Sequence, residues 1–496
     1  MNCLSDKICT PEEAAELIQH QEVVGVSGFT LSGYPKLLPK ALAKKAERLH
    51  QAGIPFAITL YSGASTGESC DGLLALANAV DERAPYQSNA TLRKKINEGT
   101  IRYLDEHLGL MGVKIREGSL RAPTTVIIEA SHISPDGKIF LSTSGGNSVA
   151  FLERAENVII ELNSRYGEKF IGLHDTFIPD LTPGASPIPL RFSSDRTGKD
   201  YIQIAPEKIK AVVLSDAYDE VKPFTQPDSI ATKIAEQILD FISYEIKKGK
   251  LHEGLAYQSG VGNVANAVLT AMANNPSQAP VSLFTEVIQE ACLPLLKTDK
   301  LKVASGTALT LSPTAQDEFI QNIDSWKKHF VLRQQEVSNS AEVIRRVGVI
   351  SMNTALECDI FGNVNSSHVC GTSMMNGIGG AADFARNARL GFFMTPSTAK
   401  DGAISSIVPL VSHVDHTEHD TMIFVTEQGL ADLRGLSAEQ KARAIIQNCA
   451  HPDYREELLE ILERGLKTAK GRHIPLDLSS AFKFHQRFLE TGSMKS

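Results

Sequence analysis

Short apolar runs that end in glycine alternate with helical stretches through the first part of the chain. Thr10-Pro11-Glu12-Glu13 places a hydroxyl, a proline at the first helical position and a carboxylate that can bond back to the cap, a pattern that starts a helix. Val23-Val24-Gly25-Val26-Ser27-Gly28 then reads as a short buried strand running into a glycine turn. After Tyr34-Pro35, residues Leu37, Leu38, Ala41 and Leu42 fall on one helical face, and Pro55 to Gly63 reads as a second strand ending in small residues. Strand, turn, helix, strand is a crossover unit, so a parallel sheet covered by helices is expected.

The same order returns later. Leu255-Ala256-Tyr257-Gln258-Ser259-Gly260 leads into a helical Val264 to Met272 and then into Pro280-Val281-Ser282-Leu283-Phe284-Thr285-Glu286. Matching Ser27-Gly28 to Ser259-Gly260 and Pro55 to Pro280 makes the halves two divergent copies of one α/β domain, with Tyr61 in the place of Glu286. Lys222-Pro223-Phe224-Thr225-Gln226-Pro227 breaks any regular element, so domains are expected at 1–220 and 221–496. Asp228 or Ser229 then caps an amphipathic helix carrying Ile230, Ile234, Ile238, Phe241, Ile242 and Ile246. From Ser437 onward the chain is charged and helical, and reads as surface elements.

Length agrees with two domains, since 496 residues exceed what one core usually organises. The formal net charge of −8 offers no overall basic field, so nucleic acid is not an expected partner. No run approaches the roughly 18 apolar residues that span a bilayer, and the first residues carry no basic-then-apolar leader; no membrane partner is expected, and the location is expected to be cytoplasmic. Seven cysteines, Cys3, Cys9, Cys70, Cys292, Cys358, Cys370 and Cys449, are scattered and never form C-x-x-C, which favours reduced thiols over disulfides or a zinc site. Neither Cys358 nor Cys370 has an evident base beside it to make it a nucleophile.

Gly260-Val261-Gly262-Asn263-Val264-Ala265 follows a strand and opens a helix, and Glu286 comes 24 residues after Gly262 at the end of the next strand. Such a layout fits a dinucleotide site, with Glu286 on a ribose hydroxyl. It equally fits chemistry by Glu286 beside helix-start N–H groups that suit a phosphate or a developing oxyanion. A plain structural turn with a solvated glutamate is the third reading. His413-x-x-His416-x-x-His419 suggests a metal, but on a strand His416 faces away from the other two, and on a helix the useful spacing is i, i+4; no metal site is expected.

Several long motifs taken in order resemble the acetyl-CoA hydrolase/transferase family of class I CoA-transferases. They are the 260–268 run, Phe284-Thr285-Glu286-Val287, Gly377-Ile378-Gly379-Gly380 with Asp383-Phe384, Thr395-Pro396-Ser397-Thr398-Ala399-Lys400, and Ser412 to Asp420. The resemblance runs to about Pro475 and points to the succinyl-CoA:acetate branch. It implies two similar CoA-transferase-type α/β domains with mainly parallel sheets, and Glu286 as a nucleophile that becomes a glutamyl-CoA thioester. It further implies that Val261, Gly262, Asn263, Val264 and Ala265 line the thioester and supply an oxyanion N–H, that Gly380 offers a second N–H with Asn376 close by, and that Lys400 reaches CoA. Asn339 and Glu427 match positions that the family places around the nucleophile, and Ser62 to Gly67 resembles a carboxylate-pocket loop.

The implied partners are acyl-CoA and small carboxylates, with coenzyme A as substrate, no tightly bound cofactor, and a homodimer as the assembly. The chemistry suits a glutamate: a carboxylate that attacks a thioester gives an anhydride that the released thiolate can recapture, so the thioester's free energy is kept. Acetyl-CoA hydrolysis is the near alternative. A nicotinamide-dependent dehydrogenase and a non-catalytic CoA-binding protein are the alternatives of other classes.

Overall fold

The structure, a computed structural model, describes residues 4–496, so Cys3 lies outside the described residues. Two compact units form, one of residues up to Phe224 with Pro280–Val347, the other of Thr225–Ala279 with Gly348–Ser496. The first break falls close to the division expected at 220, while the stretch that carries Glu286 packs with the N-terminal part.

In the first unit the parallel strands Arg102–Tyr103, Val80–Ala84, Ile58–Tyr61, Val23–Val26, Thr125–Ile133, Asn157–Asn163 and Ile209–Ser215 lie side by side. Both faces are apolar and covered, as the period-2 geometry of a strand requires. Ile127 packs with Leu38, Leu42 and Leu60 on one side, whereas its neighbours Val126 and Ile128 pack with Met111, Ile115 and Phe151 on the other. Lys138–Leu141 and Ile202–Gln203 add an antiparallel extension. The unit also holds the parallel set Val281–Phe284, Leu301–Gly306 and Phe330–Leu332. In the second unit Ala256–Ser259, Val349–Thr354, Leu390–Met394 and Ile423–Thr426 are parallel, and Gly429–Asp432 closes the edge as a hairpin partner. The α/β class with mainly parallel strands is therefore the fold.

The ladders correct the register of the internal repeat. Tyr61 pairs Ala84 and the next N–H, of Ser62, bonds Ala84 O; Phe284 pairs Ser305 and the next N–H, of Thr285, bonds Ser305 O. Phe284 is thus the counterpart of Tyr61, and Gly63, not Tyr61, stands in the place of Glu286. In the same way Val26 pairs Ile127 and Ser259 pairs Met352, which moves Ser27 onto Gly260. Aligning the prolines misleads because the strand Val281–Phe284 begins directly after Pro280, whereas Ile58 is three residues past Pro55.

Caps fall where the side chains can reach. Thr10 closes a capping box with Glu13, and Asp228 rather than Ser229 caps Ser229–Lys247 through Ala231 N at 2.8 Å. The charged C-terminal helices are not only surface elements: Ala442, Ile445, Ile446, Leu458, Ile461, Leu462 and Phe484 share a core with Phe393 and Phe424. Their apolar residues recur at helical spacing and form one stripe within a charged sequence. No helix among the described residues is long and apolar enough to cross a membrane.

One polar feature organises the first unit. Lys36, 4% exposed, directs Nζ at Glu129 (2.5 Å) and Asp219 (2.6 Å). Ser142 Oγ donates to Glu129, Thr143 Oγ1 and Gly33 N donate to Asp219, and the N–H groups of Lys36, Leu37 and Leu38 donate to Glu161 at the start of Leu37–Gln51. Burial favours the neutral amine, but the two carboxylates overcome it and hold the Lys36 pKa above its ordinary value. Lys36→Met leaves two buried carboxylates without their cation and is expected to cost about 3–5 kcal/mol near pH 7. Burial raises the Glu129 carboxyl pKa and Lys36 opposes that rise, so in the variant acidification toward pH 5 protonates the folded form first and narrows the deficit. Urea unfolding of both proteins at the two pH values checks this; an equal deficit at both contradicts it.

Candidate active site

Glu286 stands in the two-residue gap between Val281–Phe284 and Val287–Gln289, where the first ladder ends and a second, with Ala308–Thr310, begins. Its backbone is fixed twice, because the carbonyl of Glu286 accepts from Thr307 N at 2.7 Å and Ala308 N at 3.0 Å. The half-buried carboxylate is held by an amide: Asn339 Nδ2 donates to Glu286 Oε1 at 2.5 Å. Asn339 is in turn oriented by Ser338, whose Oγ donates to Asn339 Oδ1 at 2.9 Å and contacts Thr307 Oγ1. A carboxylate held at a strand end by its main chain and by an oriented donor is pre-organised for attack along one direction.

Three glycine turns of the first unit close-pack beside this set. A Cβ on Gly63 would lie 2.4 Å from Gly28 O, 2.9 Å from Gly146 Cα and 3.0 Å from Gln335 Oε1, so only glycine fits. Gln335 precedes Asn339 by one helical turn and accepts the Asn339 N–H at 2.9 Å. Gly109 is pressed against Asn339 as well, with a Cβ position 2.7 Å from its carbonyl oxygen. The Ser62 to Gly67 loop is therefore next to the support of Asn339.

Sequence reasoning did not find Tyr86, Thr307 or Ser338. Tyr86 packs on the small apolar cluster of Phe29, Ala64, Leu108, Val287 and Ala308. Its phenol is pushed up to about 12 by burial and then by the charges of Glu286 and Asp105, so it stays a donor at neutral pH. No local pattern marks a tyrosine 200 residues before the glutamate it faces.

The remaining candidates belong to the second unit. Gly262 adopts φ +114 with open space where a Cβ would be, at the start of Asn263–Asn274. Val264 and Ala265 are buried and anchor that helix, Asn263 Nδ2 donates to Asp228 at 2.6 Å, and Val261 is 44% exposed. Asn376 spends its side-chain amide on its own loop, donating to Ser366 O and Gly377 O, and so braces the approach to Gly379, at φ +65, and to Gly380, the cap of Ala381–Asn387. Lys400 is exposed at the tip of a hairpin, with Nζ 5.0 Å from the Phe488 ring centre. Glu427 accepts from Ser397 N at 2.8 Å, from Ser397 Oγ and from Gln428 Nε2; burial opposes its ionisation, but these bonds prevail and hold its pKa below the ordinary value.

His413 and His416 of the 413–419 segment make separate contacts. The His413 ring lies 4.0 Å from that of His368, while buried His416 packs on Phe393 and bonds Ser366. Among the described residues no group of three or more His, Cys, Asp or Glu is placed to hold a metal ion. Burial pushes the thiols of Cys358 and Cys370 up, which suits inert side chains.

Residues 4–214 match the family model for the acetyl-CoA hydrolase/transferase N-terminal domain, and residues 316–462 match that for the C-terminal domain. The chain is 47% identical to a succinyl-CoA:acetate CoA-transferase of Clostridium kluyveri, over 99% of this chain and 91% of that one. It is 44% identical to a propanoyl-CoA:succinate CoA transferase of Escherichia coli over 98% of both chains, and 40% identical to an acetyl-CoA hydrolase of Schizosaccharomyces pombe over 99% and 96%. Among solved structures, RipA from Yersinia pestis aligns at a TM-score of 0.73 with 22% identity, over 93% of this chain and 98% of that one. A 4-hydroxybutyrate CoA-transferase from Porphyromonas gingivalis aligns at 0.63 with 18% identity and the same coverage. By these matches, which span nearly its whole length, the chain belongs to the acetyl-CoA hydrolase/transferase family of enzymes.

Proposed function

We propose that the protein is an acyl-CoA:carboxylate CoA-transferase that exchanges CoA between succinate and acetate through Glu286. The observation that carries this reading is the 2.5 Å bond from Asn339 to a carboxylate that ends a strand, because it orients that carboxylate from an element that is itself fixed. In the forward sense the Glu286 carboxylate attacks the acyl carbon of the thioester and CoA thiolate leaves, giving a mixed anhydride. The thiolate then attacks the glutamyl carbonyl, which releases the first carboxylate and leaves a glutamyl-CoA thioester. A second carboxylate reverses both steps and departs as its CoA thioester.

Each tetrahedral stage places negative charge on an oxygen, and the reading gives backbone N–H groups of Val261 to Ala265 and of Gly380 the role of stabilising it. Lys400 is given to CoA, as a point charge suited to phosphate. Asn376 shapes the Gly380 turn, and Glu427 remains ionised as a supporting carboxylate. Tyr86, a protonated phenol beside Glu286, joins the carboxylate side. The names of the bacterial relatives favour succinate and acetate as the exchanging acids. A homodimer and a cytoplasmic location accompany the reading, and the exchange chemistry requires neither.

Mass spectrometry after incubation with acetyl-CoA is expected to detect a CoA adduct on the chain, and Glu286→Ala is expected to remove both the adduct and exchange without shifting thermal unfolding. A folded Glu286→Ala protein that exchanges at the parent rate removes Glu286 from the mechanism. Asn339→Ala takes away a hydrogen bond to a charged group, worth about 1.5–3 kcal/mol, so kcat is expected to fall roughly 10- to 150-fold. An unchanged kcat contradicts the orienting role.

A hydrolase is favoured by the fungal relative's name. It differs in whether water or a carboxylate takes the activated group. Acetyl-CoA with succinate is expected to yield succinyl-CoA much faster than free thiol accumulates from acetyl-CoA alone; equal rates replace the transferase with the hydrolase.

A further inference from the structure

The hairpin tip that bears Lys400 is more constrained than its turn requires. Thr398–Ala399 pairs antiparallel with Ile404–Ser405, and Ala403 N bonds Lys400 O at 3.0 Å across Asp401-Gly402. Positive φ at Asp401 (52°) and Gly402 (84°) belongs to the two-residue hairpin turn for which Asp-Gly is suited. Lys400 also has a positive φ, 49°, which that turn does not explain and which an unbranched side chain rarely adopts. Such a conformation persists where the surroundings determine it.

The surroundings are one segment, Lys483 to Lys495. Phe488, on helix Lys483–Thr491, sets its ring 5.0 Å from Lys400 Nζ. Met494 N donates to Ala403 O at 2.7 Å, the Met494 side chain is buried, and Met494 O accepts from Arg487 at 2.5 Å. Lys495 lies over Gly402, its Nζ 3.5 Å from a Cβ position there and 2.7 Å from Asp453 Oδ2. From the next helix Tyr454 OH donates to Gly402 O at 2.7 Å. Lys400, Gly402 and Ala403 are thus each tied, and three of the ties come from a stretch about 90 residues further along the chain.

We infer that the Lys483 to Lys495 segment is a clamp for CoA recognition, with Phe488 and Met494 as positioning residues that hold Lys400 in the orientation in which it meets the anionic part of CoA. The inference rests on the reading of Lys400 as a CoA contact. The aromatic face attracts the ammonium and limits its wandering, while the Met494 bond fixes the backbone beneath it. An exposed lysine otherwise has many rotamers, and each one frozen before binding is one less to freeze on binding.

The test is steady-state kinetics with acetyl-CoA and succinate on Phe488→Leu, Phe488→Tyr, Lys400→Ala, the double variant Phe488→Leu/Lys400→Ala, and a chain ending at Ser493. Phe488→Leu and the shortened chain are expected to raise KM for acetyl-CoA ~2- to 5-fold and leave KM for succinate and kcat in place. Phe488→Tyr keeps a ring and is expected to restore the parent value. The double variant is expected to match Lys400→Ala, since the clamp acts only through that lysine. If Lys400→Ala raises KM for acetyl-CoA but neither Phe488→Leu nor the shortened chain does, the clamp is overturned and the Lys400 assignment stands. If Lys400→Ala itself leaves that KM unchanged, both fall. Additive effects in the double variant, or equal rises in both KM values, mark a general disturbance of the fold and overturn the clamp too; should Phe488→Leu fail to fold, the shortened chain carries the comparison.

Discussion

A buried ammonium between two carboxylates is the constraint on which the first unit depends. Lys36 is charged, enclosed and satisfied, so the strands and turns that supply Glu129 and Asp219 cannot separate without stranding a charge. The same carboxylates collect Ser142, Thr143 and Gly33. From there the connection reaches Glu286 through main chain alone: Thr143 O accepts Leu309 N and Gly145 N donates to Thr307 O, while Thr307 and Ala308 hold the Glu286 carbonyl. An electrostatic knot in one place is thereby tied to the main chain that holds Glu286 in another.

Glu286 and Lys400 are held by opposite strategies. The nucleophile of the proposed mechanism must meet one carbon along a narrow approach, and Glu286 is held for that by a strand end, a doubly bonded carbonyl and an amide. The phosphate-recognising role proposed for Lys400 needs reach more than direction, and Lys400 stands exposed on a hairpin with its backbone pinned. Glu427 lies between these extremes, its charge set by three hydrogen bonds and opposed by burial.

What could be seen in the sequence was local. The capping box at Thr10, the strand and glycine turn at 23–28, the helix cap at Asp228 and the glutamate closing 281–286 each depend on residues within one or two turns of one another. Register was less visible, because a proline marks where a strand is allowed to begin and not how many residues pass before pairing starts; hence Tyr61 was matched where Gly63 belongs. The C-terminal helices misled because charged residues outnumber a thin apolar stripe that nonetheless faces a core. Tyr86, Thr307 and Ser338 carry no signature at all, since their meaning comes from a glutamate brought to them by folding. Asn339, Lys400 and Glu427 were reached only through resemblance, whereas the glycine turn at 260–265 stood out by its own pattern.

Gly63 gives the duplication an asymmetry. Where its counterpart bears a carboxylate, this position has no room for even one side-chain carbon, because the backbone oxygen of Gly28 already occupies that space. The two turns therefore offer different things: one presents a carboxylate, and the other makes tight backbone contact. An acid placed at Gly63 would fit only if the Gly28 and Gly146 turns moved away as well. Under the proposed mechanism a chain can therefore carry at most one CoA as a glutamyl thioester, however closely the two halves repeat one another's topology.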